Sequence, residues 1–202
     1  MPVKITYLSH AMFEISNSKT ILIDPYFSGN PYAPSYTKTP DFILVTHEHF
    51  DHADIKQFTC PVVAPPTVKA PKLIAMKIGE KREIDGITVE MIEADHPQSR
   101  YPTGYVITFE GKRIAHLGDT YLGGVKPLPD INVLLIPIGG TYTMNIDEAV
   151  KALDIIKPKL AIPMHYNTFP EIRADPEEFK RKAEAKGYKV VVLKVGETYT
   201  LE

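Results

Sequence analysis

The chain has 202 residues, 44% hydrophobic and 24% charged, a profile that excludes a disordered or collagen-like protein. Its formal charge of −2 lacks the bulk positive field on which non-specific nucleic-acid binding relies, so no nucleic-acid partner is expected. The single cysteine, Cys60, rules out an internal disulfide and a cysteine-based zinc site.

The first residues, Met1-Pro2-Val3-Lys4-Ile5-Thr6-Tyr7, alternate like a strand rather than a signal peptide. No apolar run approaches the roughly 20 residues that span a bilayer. The expectation is a cytoplasmic protein with no membrane partner. Short β-branched runs predict strands over 4–8, 12–15, 20–23, 42–45, 62–64, 88–93, 105–109, 113–116 and 133–136. Asn17-Ser18-Lys19 and Glu110-Gly111-Lys112 predict hairpin turns. Prolines gather at Pro25, Pro31, Pro34 and Pro40, and again at Pro61, Pro65, Pro66 and Pro71, marking ordered loops.

Two helices follow. Asn145 with Glu148 forms a capping-box pattern, and Ile146, Ala149, Val150, Leu153 and Ile156 recur at helical spacing until Pro158 stops the run. The second starts with Asp175 as cap, Pro176 at the first helical position and Glu178 as box partner, and ends near Gly187. Strands over 160–162 and 190–193 are expected after them. With no repeat and no linker, residues 1–202 read as one domain. A β-rich first part followed by β-α-β-α-β predicts an α/β sandwich with helices on its outer faces.

The chemistry concentrates in Thr46-His47-Glu48-His49-Phe50-Asp51-His52, directly after an apolar strand. Four potential ligands within six residues, three imidazoles and a carboxylate, suit Zn, Mn or Fe(II). With 7 His and 11 Asp in the chain, His-x-His-x-Asp-His arises by chance in about five in ten thousand such sequences. His96, Asp119 and His165 also follow predicted strands. Ligands offered from strand ends can converge on one edge of a sandwich, where loops carry function on a rigid frame.

The pattern resembles the metallo-β-lactamase superfamily, whose hallmark is His-x-His-x-Asp-His followed by a separate His, an Asp and a last His. Within it the chain is similar to the small metal-dependent hydrolases related to L-ascorbate-6-phosphate lactonase. That closer likeness rests on Leu8-Ser9-His10-Ala11-Met12-Phe13, Ile23-Asp24-Pro25, Gly118-Asp119-Thr120, Pro137-Ile138-Gly139-Gly140 and Pro163-Met164-His165-Tyr166. The resemblance implies a four-layer αβ/βα sandwich carrying two divalent ions, zinc first, with manganese or iron as alternatives. It implies His47, His49 and His96 at one metal, Asp51, His52 and His165 at the other, and Asp119 bridging them.

Other residues carry weaker claims. His10 could line the pocket or support a ligand, or simply be satisfied in its turn. Asp24 could hold a ligating imidazole through a hydrogen bond, or be a plain Asp-Pro turn. His116 reads as a supporting or core histidine, since the seven assigned ligands complete two sites. Ser99, Arg100, Tyr101, Tyr142, Tyr166 and Asn167 lie beside motif segments and could touch substrate, though each alone reads first as a loop residue. Arg100 would suit a phosphate or carboxylate. Gly139-Gly140 suggests a tight turn, and Cys60 a small buried hydrophobe.

The activity implied is hydrolysis of an ester, lactone or phosphoester bond of a small molecule by a hydroxide shared between two metals, with Asp51 and Asp119 orienting it and Asp119 passing a proton to the leaving group. Phosphodiester or nucleic-acid cleavage is the enzyme alternative, and a non-catalytic metal-binding module on the same fold is the other. A secreted β-lactamase fits less well without an export signal. A di-iron oxidoreductase of this superfamily would carry Glu where His49 stands and add a flavin domain. Oligomeric state is open at this stage.

Overall fold

The computed structural model describes residues 2–202. The chain opens with β1 (Val3–Tyr7), β2 (Phe13–Ser16), β3 (Thr20–Ile23), β4 (Phe42–Leu44), β5 (Val62–Ala64) and β6 (Leu73–Ala75), which lie side by side in that order. The first three pair antiparallel, and β3 to β6 run parallel. A second sheet follows from β7 (Lys81–Ile84), β8 (Ile87–Glu93), β9 (Thr103–Phe109), β10 (Lys112–His116), β11 (Val133–Pro137) and β12 (Ala161–Met164), again in spatial sequence. Its first four strands are antiparallel and its last three parallel. β13 (Thr198–Leu201) returns to pair with β1 at the edge of the first sheet.

Alternation decides how the sheets face each other. Val3, Ile5 and Tyr7 on β1 and Ile87, Val89 and Met91 on β8 point into the same buried cluster between the sheets. Tyr105 ties the layers together, its hydroxyl donating to the carbonyls of Val45 (2.8 Å) and Val63 (3.2 Å). Helices α1 (Ile146–Ile156) and α2 (Pro176–Glu184) cover the outer face of the second sheet, packing Leu153 and Phe179 against Leu134 and Ile136. The outer face of the first sheet, including Leu22, Ile43 and Val45, is covered by loop residues such as Phe27, Tyr36 and Phe58. The α/β sandwich is therefore as the sequence implies, but the layer expected as helix over the first sheet is built from the proline-rich loops.

The helix ends follow their sequence signals in all but one detail. Asn145 Oδ1 accepts from the Glu148 N–H at 3.0 Å and Glu148 Oε2 accepts from the Asn145 N–H at 3.0 Å, completing the capping box. Lys157 closes α1 in the left-handed region, with φ 54°, because Pro158 disfavours the helical conformation before it. Asp175 caps α2 through the Glu177 N–H, at 2.9 Å. Glu178 is not its box partner: its carboxylate turns along the helix to Lys182, 2.7 Å away. The strand expected over 190–193 also fails to form, as only Val190 bridges to Ala161 before the chain leaves the sheet. Both hairpins form where expected.

The connections place chemistry on one edge. β1, β3 and β4 in the first sheet and β8, β10 and β12 in the second all run the same way within their sheets, so the loops leaving them share an end. Those loops carry His10, Asp24, His47 to His52, His96, Asp119 and His165. The carboxyl ends of parallel strands are where open α/β sheets place ligands.

Candidate metal centre

The segment after β4 is held before it reaches its histidines. The Thr103 hydroxyl donates to the Thr46 carbonyl at 2.6 Å. Asp24, buried and at φ 47°, accepts from the Thr46 N–H and the Thr46 hydroxyl, both at 2.7 Å, and from His52 Nδ1 at 2.8 Å. A carboxylate only accepts, so His52 carries a hydrogen on Nδ1 and Nε2 is the nitrogen left to bind a metal. The Thr46 hydroxyl, its hydrogen committed to Asp24, accepts from His47 Nδ1 at 3.0 Å, leaving His47 Nε2 bare as well. One buried carboxylate thus sets the tautomer of two imidazoles. Asp24 is the supporting residue of the two readings its sequence allowed.

Main-chain carbonyls set two more. His49 Nε2 donates to the Gln98 carbonyl and His96 Nδ1 to the Tyr142 carbonyl, each at 3.1 Å. His49 Nδ1 then faces His47 Nε2 at 3.0 Å and His96 Nε2 at 3.4 Å. A tetrahedral zinc with bonds of about 2.05 Å would set its ligand atoms about 3.3 Å apart, so this trio has the spacing of a metal cradle. Asp51, His52, His165 and His10 form a second group, whose donor atoms lie within 4.8 Å of one another.

Asp119 stands between the groups. Its Oδ2 is 3.2 Å from His52 Nε2 and His165 Nε2, 3.7 Å from His47 Nε2 and 3.8 Å from His96 Nε2. The buried side-chain atoms without a hydrogen-bond partner belong to the same residues: His52 Nε2, Asp119 Oδ1, and both ring nitrogens of His165, of which Nε2 faces Asp119. Buried polar atoms are almost always satisfied, so unpartnered atoms on His52, Asp119 and His165, side by side at this point, fit cations as their partners. The donor set, imidazole and carboxylate with no thiolate, fits Zn, Mn or Fe(II).

Electrostatics bear the same stamp. Burial and the neighbouring His52 push His47 well below the usual imidazole range. Burial would lower His52 too, but Asp119, Asp51 and Asp24 outweigh it and raise it well above that range, so a cation taken up at Nε2 displaces a proton there. For Asp119, burial works against ionisation, yet the flanking His165 and His52 keep it well below the usual carboxylate range. Asp51 is likewise lowered against burial, by His52 and His10.

The weaker candidates now divide. His10, fully buried at φ 59°, donates from Nε2 to Asp51 Oδ2 at 2.9 Å, and its Nδ1 meets the Thr168 hydroxyl at 2.5 Å. Burial, with His165 beside it, brings its pKa down to about 4, so it is a neutral support for Asp51. His116 donates to the Ala11 carbonyl at 2.8 Å and accepts from the Gly118 N–H at 3.1 Å, a core histidine away from the donor cluster. Gly118 is required there: at φ 62°, an added Cβ would stand 2.3 Å from the Thr103 carbonyl oxygen. Tyr142 lines the cavity over the cluster. Ser99 and Arg100 instead clamp Glu48, which accepts the Ser99 and Thr67 hydroxyls at 3.0 Å and the Arg100 N–H at 2.8 Å. Burial would raise Glu48, but those bonds outweigh it and lower its pKa to about 2. The Tyr101 hydroxyl accepts from the Ile78 N–H, and Tyr166 stacks on Tyr7 with its hydroxyl pushed up to about 12 by burial. Asn167 clamps Ala174 through two hydrogen bonds at 3.0 Å. Gly139 lets the chain pass the His165 carbonyl oxygen, 2.2 Å from where a Cβ would be. Cys60 packs, half-buried, among the loop residues over the first sheet.

Thr168, Phe169, Glu171, Gln98 and Tyr26 escaped the sequence reading, because their roles depend on loops that meet only in three dimensions. Phe50 could have been found: it is the one apolar residue inside an otherwise polar ligand motif.

Two mixed sheets with a His/Asp donor cluster at their shared edge define a metallohydrolase-type sandwich. Residues 4–165 match the β-lactamase superfamily domain, and the chain belongs to that family. A UPF0173 metal-dependent hydrolase of Pyrococcus furiosus is 42% identical over 226 aligned positions, covering 98% of this chain and 100% of the relative. One from Archaeoglobus fulgidus is 38% identical, covering 98% of each. Among solved structures, the metallo hydrolase Igni18 of Ignicoccus hospitalis superposes with TM-score 0.89 at 34% identity, covering 100% of this chain and 99% of that one. The chain is a metal-dependent hydrolase. No helix among the described residues is long and apolar enough to cross a membrane.

Proposed function

We propose that the chain hydrolyses an ester, lactone or phosphoester bond of a small molecule with two divalent ions, zinc foremost, held by His47, His49 and His96 and by Asp51, His52 and His165, with Asp119 between them. The observation that carries this is the position of Asp119 Oδ2 within 3.2–3.8 Å of four imidazole nitrogens drawn from both groups. When bound, such ions lower the pKa of a shared water toward neutrality and polarise the oxygen of the scissile bond.

The chain's own residues supply the rest. Asp24, the Thr46 hydroxyl and the Gln98 and Tyr142 carbonyls fix which nitrogen each imidazole offers. His10 holds one oxygen of Asp51, so its carboxylate faces the cluster in one orientation. Asp119 is ionised at neutral pH and lines the cavity. It can accept a proton from the attacking water and return it to the departing oxygen. The test is Asp119→Ala alongside chelated wild type. Both should lose ester hydrolysis by at least about a thousandfold, and only the wild type should recover with added metal. Undiminished turnover in the variant would refute the assignment.

A further inference from the structure

The cavity above the donor cluster holds about 420 Å³, within the range of small-molecule sites. Its walls are aromatic, from Phe50, Phe169 and Tyr142, and Glu171 stands at its rim. Among the described residues, no Lys or Arg lines it, although the chain carries 23 of them. Arg100, close in sequence to His96, does not line it; its exposed side chain lies 3.4 Å from the Thr67 carbonyl and 3.6 Å from Glu48. The N-terminus of α1 opens on a different cleft.

Phe50 is the sharpest feature. At 70% it is the most exposed of the large hydrophobic residues, yet it sits between His49 and Asp51. It is not adrift: its ring meets Tyr26 edge-on at 5.8 Å and Phe169 at 6.3 Å, and Tyr26 and Phe169 stack at 6.1 Å. A rigid apolar surface is thus presented to whatever occupies the space beside the donor atoms. Apolar side chains lining a cavity that also holds a few convergent polar groups are the usual make-up of a small-molecule site.

We infer that the substrate is an uncharged ester or lactone with an apolar or aromatic acyl portion, seated against Phe50 and Phe169, and that phosphorylated and other anionic substrates are rejected. This rests on the metal-hydrolase reading above and narrows it. Away from the metal donors, a second anionic group on a substrate would need Arg, Lys or a helix N-terminus to receive it, and this cavity has none of them. Were two divalent ions held there, the carboxylates of Asp51, Asp119 and Glu171 around the cavity would offset most of their charge. In the reaction the water oxygen bonds to the acyl carbon, the bond from that carbon to the alcohol oxygen breaks, one water proton goes to the alcohol oxygen, which stays tethered in a lactone, and the other is released as the acid ionises. The carboxylate product is itself an anion, and Glu171 helps expel it.

The test is calorimetric binding of three hydroxamates to the metal-loaded protein: acetohydroxamate, hexanohydroxamate, and the six-carbon analogue ending in a carboxylate. Each buried methylene should tighten binding about two- to fourfold, so hexanohydroxamate should exceed acetohydroxamate by about 20- to 200-fold. The terminal carboxylate should remove at least about tenfold of that gain. Phe50→Ser should collapse the chain-length gain, and Glu171→Lys should turn discrimination toward the carboxylate-ended ligand. Binding indifferent to chain length, or tighter for the anion in wild type, would overturn the inference while leaving the metal site standing. Failure of all three to bind metal-loaded protein would overturn an open metal centre and this inference with it. A change of oligomeric state in Phe50→Ser with the gain intact would reassign Phe50 to a contact between copies, and also overturn it.

Discussion

Asp24→Asn is a nearly isosteric change with an asymmetric consequence. Asp24 Oδ1 accepts from the Thr46 N–H, and Oδ2 accepts both the Thr46 hydroxyl and His52 Nδ1–H. An amide can keep the first bond with its oxygen, but its NH2 then meets two donors. Relief requires His52 to move its hydrogen to Nε2 and the Thr46 hydroxyl to turn away, which also loosens His47 Nδ1. The first change removes the lone pair that His52 Nε2 offers one group, and the second leaves the tautomer of His47 in the other group unheld. Losing such support around ligating imidazoles typically costs 10- to 100-fold in metal affinity, or about 1.4–2.8 kcal/mol. A stability loss of about 1–3 kcal/mol should accompany it, because the site is buried and one donor is left unmatched. Isothermal titration of the metal-free variant with zinc measures the first and thermal unfolding the second. If Asp24→Asn bound zinc as tightly as wild type at both equivalents, the tautomer reasoning would be refuted.

Two further outcomes follow from the same structure. Glu48, with 15% of its side chain exposed, is lowered from 4.5 to about 2. A depressed carboxyl stabilises the fold above its unfolded value, and that contribution is lost as pH falls through the folded one. The full shift would be worth about 3 kcal/mol, and screening by the solvent that reaches the group reduces it to about 1–2 kcal/mol. Glu48→Gln should therefore be less stable at pH 7 by that amount, with the gap to wild type closing between about pH 4.5 and pH 2; a gap constant with pH in chemical denaturation would contradict this. Metal removal should also lower thermal stability, since the orphaned atoms of His52, Asp119 and His165 regain partners only when cations bind. At free zinc a hundredfold above Kd the gain is about 2.7 kcal/mol, or roughly 5–10 °C for a chain of this size; calorimetric scans with and without chelator should show it, and superimposable scans would count against the site.

Legibility in the sequence followed burial. The strands read correctly are those with buried alternation or continuous apolar runs, such as β8 and β11. β6, β7 and β13 went unread because each is half-exposed and all three lie at sheet edges, so their residues, Lys81-Arg82-Glu83-Ile84 for instance, carry no core signal. The run over 190–193 misled for the opposite reason: Val190 and Leu193 are buried, but in different clusters, so the segment crosses between layers instead of extending one. At the site, the donor residues were visible because they stand in short motifs after strands. The supports were only partly visible. Asp24 precedes a proline and reads equally as a turn, and the carbonyls of Gln98 and Tyr142 have no sequence signature at all. Thr168 and Phe169 reach the cluster only through the turn after β12, where His165 and Asn167 both adopt positive φ.

The most direct measurement is elemental analysis of metal per chain on protein reconstituted with zinc and freed of excess, paired with turnover of an uncharged ester before and after chelation. Two equivalents per chain, with activity that disappears on chelation and returns with metal, is the predicted result. One equivalent or none at saturation, or turnover indifferent to chelation, would contradict the two-metal centre built around Asp119.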